Sequence, residues 1–342
     1  MTNDETKLIA DFAASMVEKY GKNIYEAVKS KLKKKRDEFM VDFGLAFKSY
    51  TEKSYEKYSK VKTLLYRIEP RSLSDFFEAP YLQKGSDEFL ADDVNHVLNI
   101  SNFVLICGDG GVGKSILLRY FFLNELKKKD LTPILVELKD LNDSGADFDI
   151  KSFFLKKLSD LGGSFDPPCL EYALTQGYFL FLLDGYDELY SKHRGAFDKK
   201  FEEFCDKYPN NSFILSSRPF DDFVYLQRFT VLKTVPFNKT QTLSLVGRIP
   251  YDKDIKKRFI DQLKDGLFEK HRSFASNPLL LTIMLLTFEN YAEIPDKLHL
   301  FYANAFETLL CKHDASKSGY RREFQSLLSV DEIKKYFLVF VS

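Results

Sequence analysis

Phe103-Val104-Leu105-Ile106-Cys107-Gly108-Asp109-Gly110-Gly111-Val112-Gly113-Lys114-Ser115 is the stretch on which the fold turns. Its apolar opening predicts a buried strand, and the residues from Gly108 to Ser115 follow the spacing Gly, four residues, Gly-Lys-Ser. A helix is expected to start near Lys114 and run to about Lys128. Glycines at 108, 110, 111 and 113 let the backbone turn with its N–H groups inward, and the helix N-terminus adds its partial positive charge. Together they make an anion cradle: Asp109 and Val112 complete the loop, Lys114 is expected to reach β- and γ-phosphates, and Ser115 to ligate Mg²⁺. A glycine-rich turn without a ligand would not require the strand, Lys114, Ser115 and the helix in this register.

A second strand, Phe179 to Leu183, ends in Asp184-Gly185-Tyr186-Asp187-Glu188-Leu189. Carboxylates at the C-terminal end of a strand lie where α/β proteins place ligands, so Asp184 is expected to hold Mg²⁺ through water. In many ATPases with such a loop, the acid that orients the attacking water directly follows the metal-binding Asp. Gly185 stands there, so that task falls to Asp187 or Glu188. The opposing reading is an acid-rich helix start favoured by the dipole alone. Between Lys114 and Asp184 lies a further strand, Ile134 to Leu138, a spacing that favours the class with an extra strand between the two motifs. Phe213 to Ser216 then delivers Ser217 and Arg218, whose guanidinium could sense a γ-phosphate or form a surface ion pair.

Around this core the patterning changes. Residues 1 to about 66 read as helix almost throughout, with Leu8, Phe12 and Met16 on one face. Met40, Phe43, Phe47, Tyr50, Tyr55, Tyr58, Val61 and Leu65 follow at helical spacing, and Gly21 with Asn23 is expected to break a short first helix from a longer second. From Lys29 to Arg36 six of eight positions are basic. Such a run on a helix reads first as a solvated face, and contact with nucleic acid or lipid phosphate is the minor reading. Pro70, Pro80 and Gly85 mark a linker into the core. The expected division is 1–68 helical, 69–84 linker, 85–249 α/β core with a parallel sheet, 250–318 helical, and 319–342 a further segment.

The chain has 342 residues, 44% hydrophobic and 29% charged, which permits a sizeable core. Lys plus Arg and Asp plus Glu both number 50, so overall charge does not drive it onto nucleic acid or an acidic membrane. Cys107, Cys169, Cys205 and Cys311 are scattered, which indicates neither a disulfide framework nor a thiolate zinc site and suits a reducing cytoplasm. No apolar run approaches the roughly 18 residues of a membrane span. His96, His193, His271, His299 and His313 show no ligand spacing.

The phosphate loop, Asp184-Gly185-Tyr186-Asp187-Glu188-Leu189, Ser217-Arg218-Pro219, Pro236-Phe237 and Asn277-Pro278-Leu279-Leu280-Leu281 together resemble the NACHT module of STAND-class signal-transducing NTPases, over roughly residues 75 to 335. Asp, a small residue, and then two acids after one intervening position is the most specific part. The resemblance implies an ATP- or ADP-bound, Mg²⁺-dependent switch of slow hydrolysis that controls self-association, in bacterial anti-phage or innate immune defence. It implies that Pro278 packs against the nucleotide, although Asn277-Pro278 is also an ordinary helix start. Phe76 to Gln83 resembles the segment that approaches adenine. Relatives continue through a winged-helix domain with a nucleotide-contacting histidine. Here 319–342 reads as the beginning of that region, with Ile333, Phe337, Leu338 and Val341 along one side of a helix expected to be left uncovered. The competing function is a turnover ATPase, a motor or remodeller. A P-loop kinase would need an arginine-bearing lid and an acceptor pocket, for which no clear candidate stands out. The activating trigger is not legible.

Overall fold

The structure, a computed structural model, describes residues 2–32, 35–63, 65–66, 69–144, 147–219 and 227–291. In chain order the elements are α1 (Asn3–Met16), α2 (Lys22–Val28), α3 (Arg36–Tyr58), β1 (Lys60–Val61), β2 (Arg71–Ser72), α4 (Leu73–Phe76), β3 (Tyr81–Lys84), β4 (Asp87–Leu90) and α5 (Val94–Leu98). The core continues with β5 (Phe103–Cys107), α6 (Lys114–Lys128), β6 (Thr132–Glu137), α7 (Ile150–Asp160), α8 (Pro167–Gln176), β7 (Phe179–Asp184), α9 (Ser191–Lys207), β8 (Ser212–Ser217) and β9 (Thr230–Thr234). Then come α10 (Lys239–Arg248), α11 (Lys253–Gln262), α12 (Phe268–Lys270), α13 (Arg272–Ala275) and α14 (Pro278–Tyr291). Two compact units result, the first Met1–Ser59 with Ala79–Val235, the second Lys60–Glu78 with the chain from Pro236.

In the first unit the sheet runs β4-β3-β9-β5-β8-β7-β6. The five strands from β9 to β6 are parallel, as expected of apolar strands linked by helices, and β8 lies between the phosphate-loop strand β5 and the acidic strand β7. That order is the extra-strand arrangement. Phe103, Phe213 and Phe181 stand side by side in register across β5, β8 and β7, with ring centroids 5.3 and 5.1 Å apart. Phe154, Phe201 and Phe204 close on this row from α7 and α9. Each buried ring contributes roughly 1.5–3 kcal/mol relative to exposure, which fixes the two helices against the sheet.

Two local readings change. Residues 81–84, read as the end of a linker, are instead the first strand of an antiparallel hairpin that turns at Gly85 (φ 61°) and joins β9 through β3. Its strands are four residues each and carry charges, so they lack the apolar run that reveals the central strands. Gly21 does not break a helix. It is helical (φ −57°), and α1 continues through a π turn, Val17–Gly21, into α2. A Cβ there would come within 3.0 Å of the Met40 side chain, so the glycine serves close helix approach. The break falls instead after Val28: Lys29–Lys31 form a 3₁₀ turn and Arg36 opens α3, while Lys33 and Lys34 of the basic run lie outside the described residues.

The N-terminal helices cover the outer edge of the sheet. β6 is the edge strand, and its outward carbonyls at Pro133 and Leu135 accept hydrogen bonds from the buried Tyr50 hydroxyl (2.5 Å) and from Tyr58 (3.3 Å). Tyr20 donates likewise to Asp130 O (2.5 Å) while stacking on Tyr178. Tyr50 and Tyr58 thus use alternate carbonyls of β6 that an uncovered edge would leave unpaired, while Tyr20 bonds the turn before it.

In the second unit, Arg248 Nη1 donates to Phe77 O (2.7 Å) and Ser244 Oγ to Glu78 (2.6 Å), tying α10 to the segment after α4. Asn277 caps α14, its side chain accepting from Leu279 and Leu280 N–H, with Pro278 as the first helical residue. The remainder of the helical region, the expected winged-helix start and Cys311 lie outside the described residues. Among the described residues, no helix is long and apolar enough to cross a membrane.

Candidate nucleotide site

α6 begins at Lys114 with Gly113 as N-cap in the left-handed region (φ 93°) and no side-chain cap. The first-turn N–H groups of a 15-residue helix are therefore presented to the loop before it, the requirement for an anion cradle. Gly108 is demanded by a neighbour: its N–H donates to Ser217 O (3.2 Å), and a Cβ would stand 2.0 Å from Thr234 Oγ1 on β9. Lys114 Nζ curls over the loop and donates to the carbonyls of Gly108 (2.6 Å) and Asp109 (2.9 Å). Burial holds its pKa below the usual lysine value, opposed by the charges of Asp187 and Asp184 and aided by Arg218.

Asp184 ends β7 beside β8, and Ser216 joins the two strand ends. Its hydroxyl donates to Asp184 Oδ1 (2.6 Å) and accepts the Gly185 N–H (2.9 Å). Asp184 Oδ2 has no protein hydrogen bond among the described residues. Gly185 sits at φ 78°, a turn that swings the next residues back over the strand ends as a short 3₁₀ turn, Tyr186–Glu188. Buried Tyr186 anchors that turn through Asp198 Oδ1 (2.8 Å) on α9.

The two downstream acids differ. Asp187 is engaged by Arg218, which donates its backbone N–H to Oδ1 (3.0 Å) and forms an ion pair with Oδ2 through Nε (3.2 Å). The exposed guanidinium also stands over the loop, since a Cβ at Gly110 would be 3.7 Å from Arg218 Cζ. The Glu188 carboxylate forms no hydrogen bond or ion pair among the described residues. Its pKa is raised, first by lost hydration and then by the charge of Asp184, with Lys139 partly offsetting.

Tertiary structure thus brings together Gly108, Asp109, Gly110, Lys114, Asp184, Asp187 and Arg218. Pro278 opens α14 in the second unit. Sequence reasoning passed over Ser216, Thr234, Tyr186 and Asn142. Ser216, a polar residue closing an apolar strand, was the one with a signal. Among the described residues no group of three His, Cys, Asp or Glu side chains is placed to hold a metal. Cys107, which ends β5 just before the loop, has its thiol pushed up to about 11 by burial, which disfavours the thiolate.

Residues 102–249 match the family model of the NACHT domain. No curated protein matches the chain. Among solved structures, domain III of the replication initiation protein DnaA of Thermotoga maritima is 16% identical with TM-score 0.34, over 56% of this chain and 87% of that one. A Walker-type ATPase of Pyrococcus abyssi is 15% identical with TM-score 0.37, over 65% and 70%. AMPPCP-bound DnaA from Aquifex aeolicus is 16% identical with TM-score 0.34, over 73% and 92%.

Proposed function

We propose that this chain, a P-loop NTPase whose residues 102–249 form a NACHT module, binds ATP and hydrolyses it slowly as a molecular switch controlling self-association. The observation that carries this reading is the Arg218–Asp187 pair standing over Gly110. A guanidinium held by a carboxylate beside a phosphate loop can exchange that partner for a γ-phosphate, and only a triphosphate offers one. Two partner choices for one cation give two states that differ by ligand contacts.

In this reading the Gly108–Ser115 backbone and Lys114 bind the phosphates. Lys114 must leave the carbonyls of Gly108 and Asp109 to do so, and a lysine already short of hydration loses little on meeting phosphate. Ser115 and Asp184 are oxygen donors suited to Mg²⁺, which keeps waters and phosphate oxygens as its other ligands, and the free Oδ2 of Asp184 fits that role. Bound Mg²⁺ would neutralise charge on the transferring phosphoryl group. Glu188, unpaired and with a raised pKa, is the better candidate to orient and deprotonate water, while Asp187 is committed to Arg218.

Action in bacterial anti-phage or innate immune defence, in the cytoplasm, is proposed on the NACHT resemblance. Calorimetric titration of Mg²⁺-ATP into the parent and Lys114→Ala tests the site. A folded variant is expected to lose affinity at least about tenfold. Equal affinity would sink the assignment, and rapid multiple turnover with free product release would replace the switch by a turnover ATPase.

A further inference from the structure

The 3₁₀ segment Leu138–Asp143, which follows β6, reaches across to the acidic loop through one side chain. Asn142 Nδ2 donates to the Glu188 carbonyl oxygen (2.9 Å), and Asn142 Oδ1 accepts the Tyr190 N–H (2.9 Å). The two bonds straddle Leu189. Their polarity leaves one orientation of the amide, because a carbonyl needs a donor and an N–H an acceptor. Aspartate, serine or leucine could not satisfy both at this reach.

We infer that Asn142 is a positioning residue for hydrolysis: it fixes the backbone on both sides of Leu189, the Glu188 carbonyl included, and so sets where the Glu188 carboxylate stands. The inference deepens the ATPase reading and rests on it for the chemical consequence. Three further contacts bound what Asn142 alone does. The Tyr186 hydroxyl and Arg194 Nη2, which donates to Leu189 O (3.1 Å), hold the same loop from α9. Lys139, on the segment that carries Asn142, draws the Glu188 pKa down against the opposing effect of Asp184. The segment after β6 therefore supplies both a tether and a charge to the proposed base. Without the tether, the α9 contacts keep the loop folded while Glu188 gains freedom to leave its place.

The test uses the full chain with Asn142→Ala and Asn142→Asp. The aspartate keeps the acceptor for Tyr190 but sets a carboxylate oxygen against the Glu188 carbonyl. Two measurements are made, hydrogen exchange of residues 185–190 without nucleotide, and Mg²⁺-ATP affinity with single-turnover hydrolysis. Faster exchange confined to this loop in both variants is expected, with affinity within about twofold of the parent and hydrolysis slowed about tenfold or more. The acid limb of the rate profile should also move, because a merely structural role would leave Glu188 titration unchanged. Unaltered exchange at 185–190 overturns the tether whether or not the chain is an ATPase. Faster exchange with hydrolysis and its pH profile unchanged overturns the positioning role. A parent with no hydrolysis that exceeds Lys114→Ala overturns the ATPase reading instead, and with it the catalytic part of this inference.

Discussion

Replacing Tyr50 by Phe asks whether hydroxyls fasten the N-terminal helices to the sheet. The ring is wholly buried, so Tyr50→Phe leaves apolar burial as it is and removes a single hydroxyl. Burial drives the Tyr50 pKa well above its ordinary value, so at any working pH the group is a neutral donor. What is lost is the 2.5 Å bond to Pro133 O on edge strand β6, which leaves a buried carbonyl without that donor. Such a loss costs about 1–3 kcal/mol. Tyr58→Phe should cost less, since its bond to Leu135 O is 3.3 Å, and the double variant need not be additive because both act on one strand. Tyr55→Phe on the same helix is the control. Its hydroxyl meets Glu5 at 3.3 Å in a half-exposed setting, and the change should stay within about 0.5 kcal/mol. Urea unfolding followed by tyrosine fluorescence reads the midpoints with an unchanged slope. If Tyr50→Phe falls as close to the parent as Tyr55→Phe does, phenol-to-carbonyl bonds are not what holds α3 on β6.

Glu188→Gln should slow hydrolysis by roughly 10²–10⁴ and abolish an acid limb lying above the ordinary carboxylate range, with ATP affinity little changed. Asp187→Asn should instead blur ATP against ADP discrimination by loosening Arg218, and the two single-turnover and binding data sets compared side by side decide the assignment. Ser216→Ala frees Asp184 Oδ1 and the Gly185 N–H, so the Mg²⁺ concentration for half-maximal ATP binding should rise about tenfold; an unchanged Mg²⁺ requirement would count against the orientation of Asp184 by Ser216. Glu125, fully buried on α6, accepts Asp130 and Leu131 N–H through Oε1 while Oε2 has no partner among the described residues, and burial raises its pKa. The folded state therefore holds that proton more tightly than the unfolded chain. Its contribution to stability is full below the ordinary glutamate pKa of about 4.3 and is lost as pH rises through the folded value. Glu125→Gln keeps the Oε1 acceptor, so its stability relative to the parent should improve steadily from acid to neutral pH; a difference flat with pH would refute the buried charge.

The phosphate loop, the helix from Lys114 to Lys128 and the parallel order of the central strands were legible because each rests on local rules. Glycine spacing, apolar runs and the strand-to-helix transition are properties of neighbouring residues, and they dictate backbone geometry wherever the rest of the chain goes. The charged hairpin β3–β4 and the role of Gly21 were not legible. A strand is defined there by pairing with β9, and a glycine by the approach of Met40, both of which lie far along the chain.

The same division runs through the site. The sequence reading grouped Lys114, Asp184 and a choice between Asp187 and Glu188, because each motif follows the C-terminal end of an apolar strand, and the structure sets those strands, β5 and β7, on either side of β8. Only the tertiary structure separated the two acids, since Arg218, following β8, reaches Asp187 beyond β7 and leaves the Glu188 carboxylate unpaired among the described residues. Only the tertiary structure brought in Ser216 and Asn142, and only it laid Tyr50 and Tyr58 on the carbonyls of β6. Hydrogen bonds between distant residues depend on where backbone atoms converge in space, and no periodicity in the sequence records that convergence.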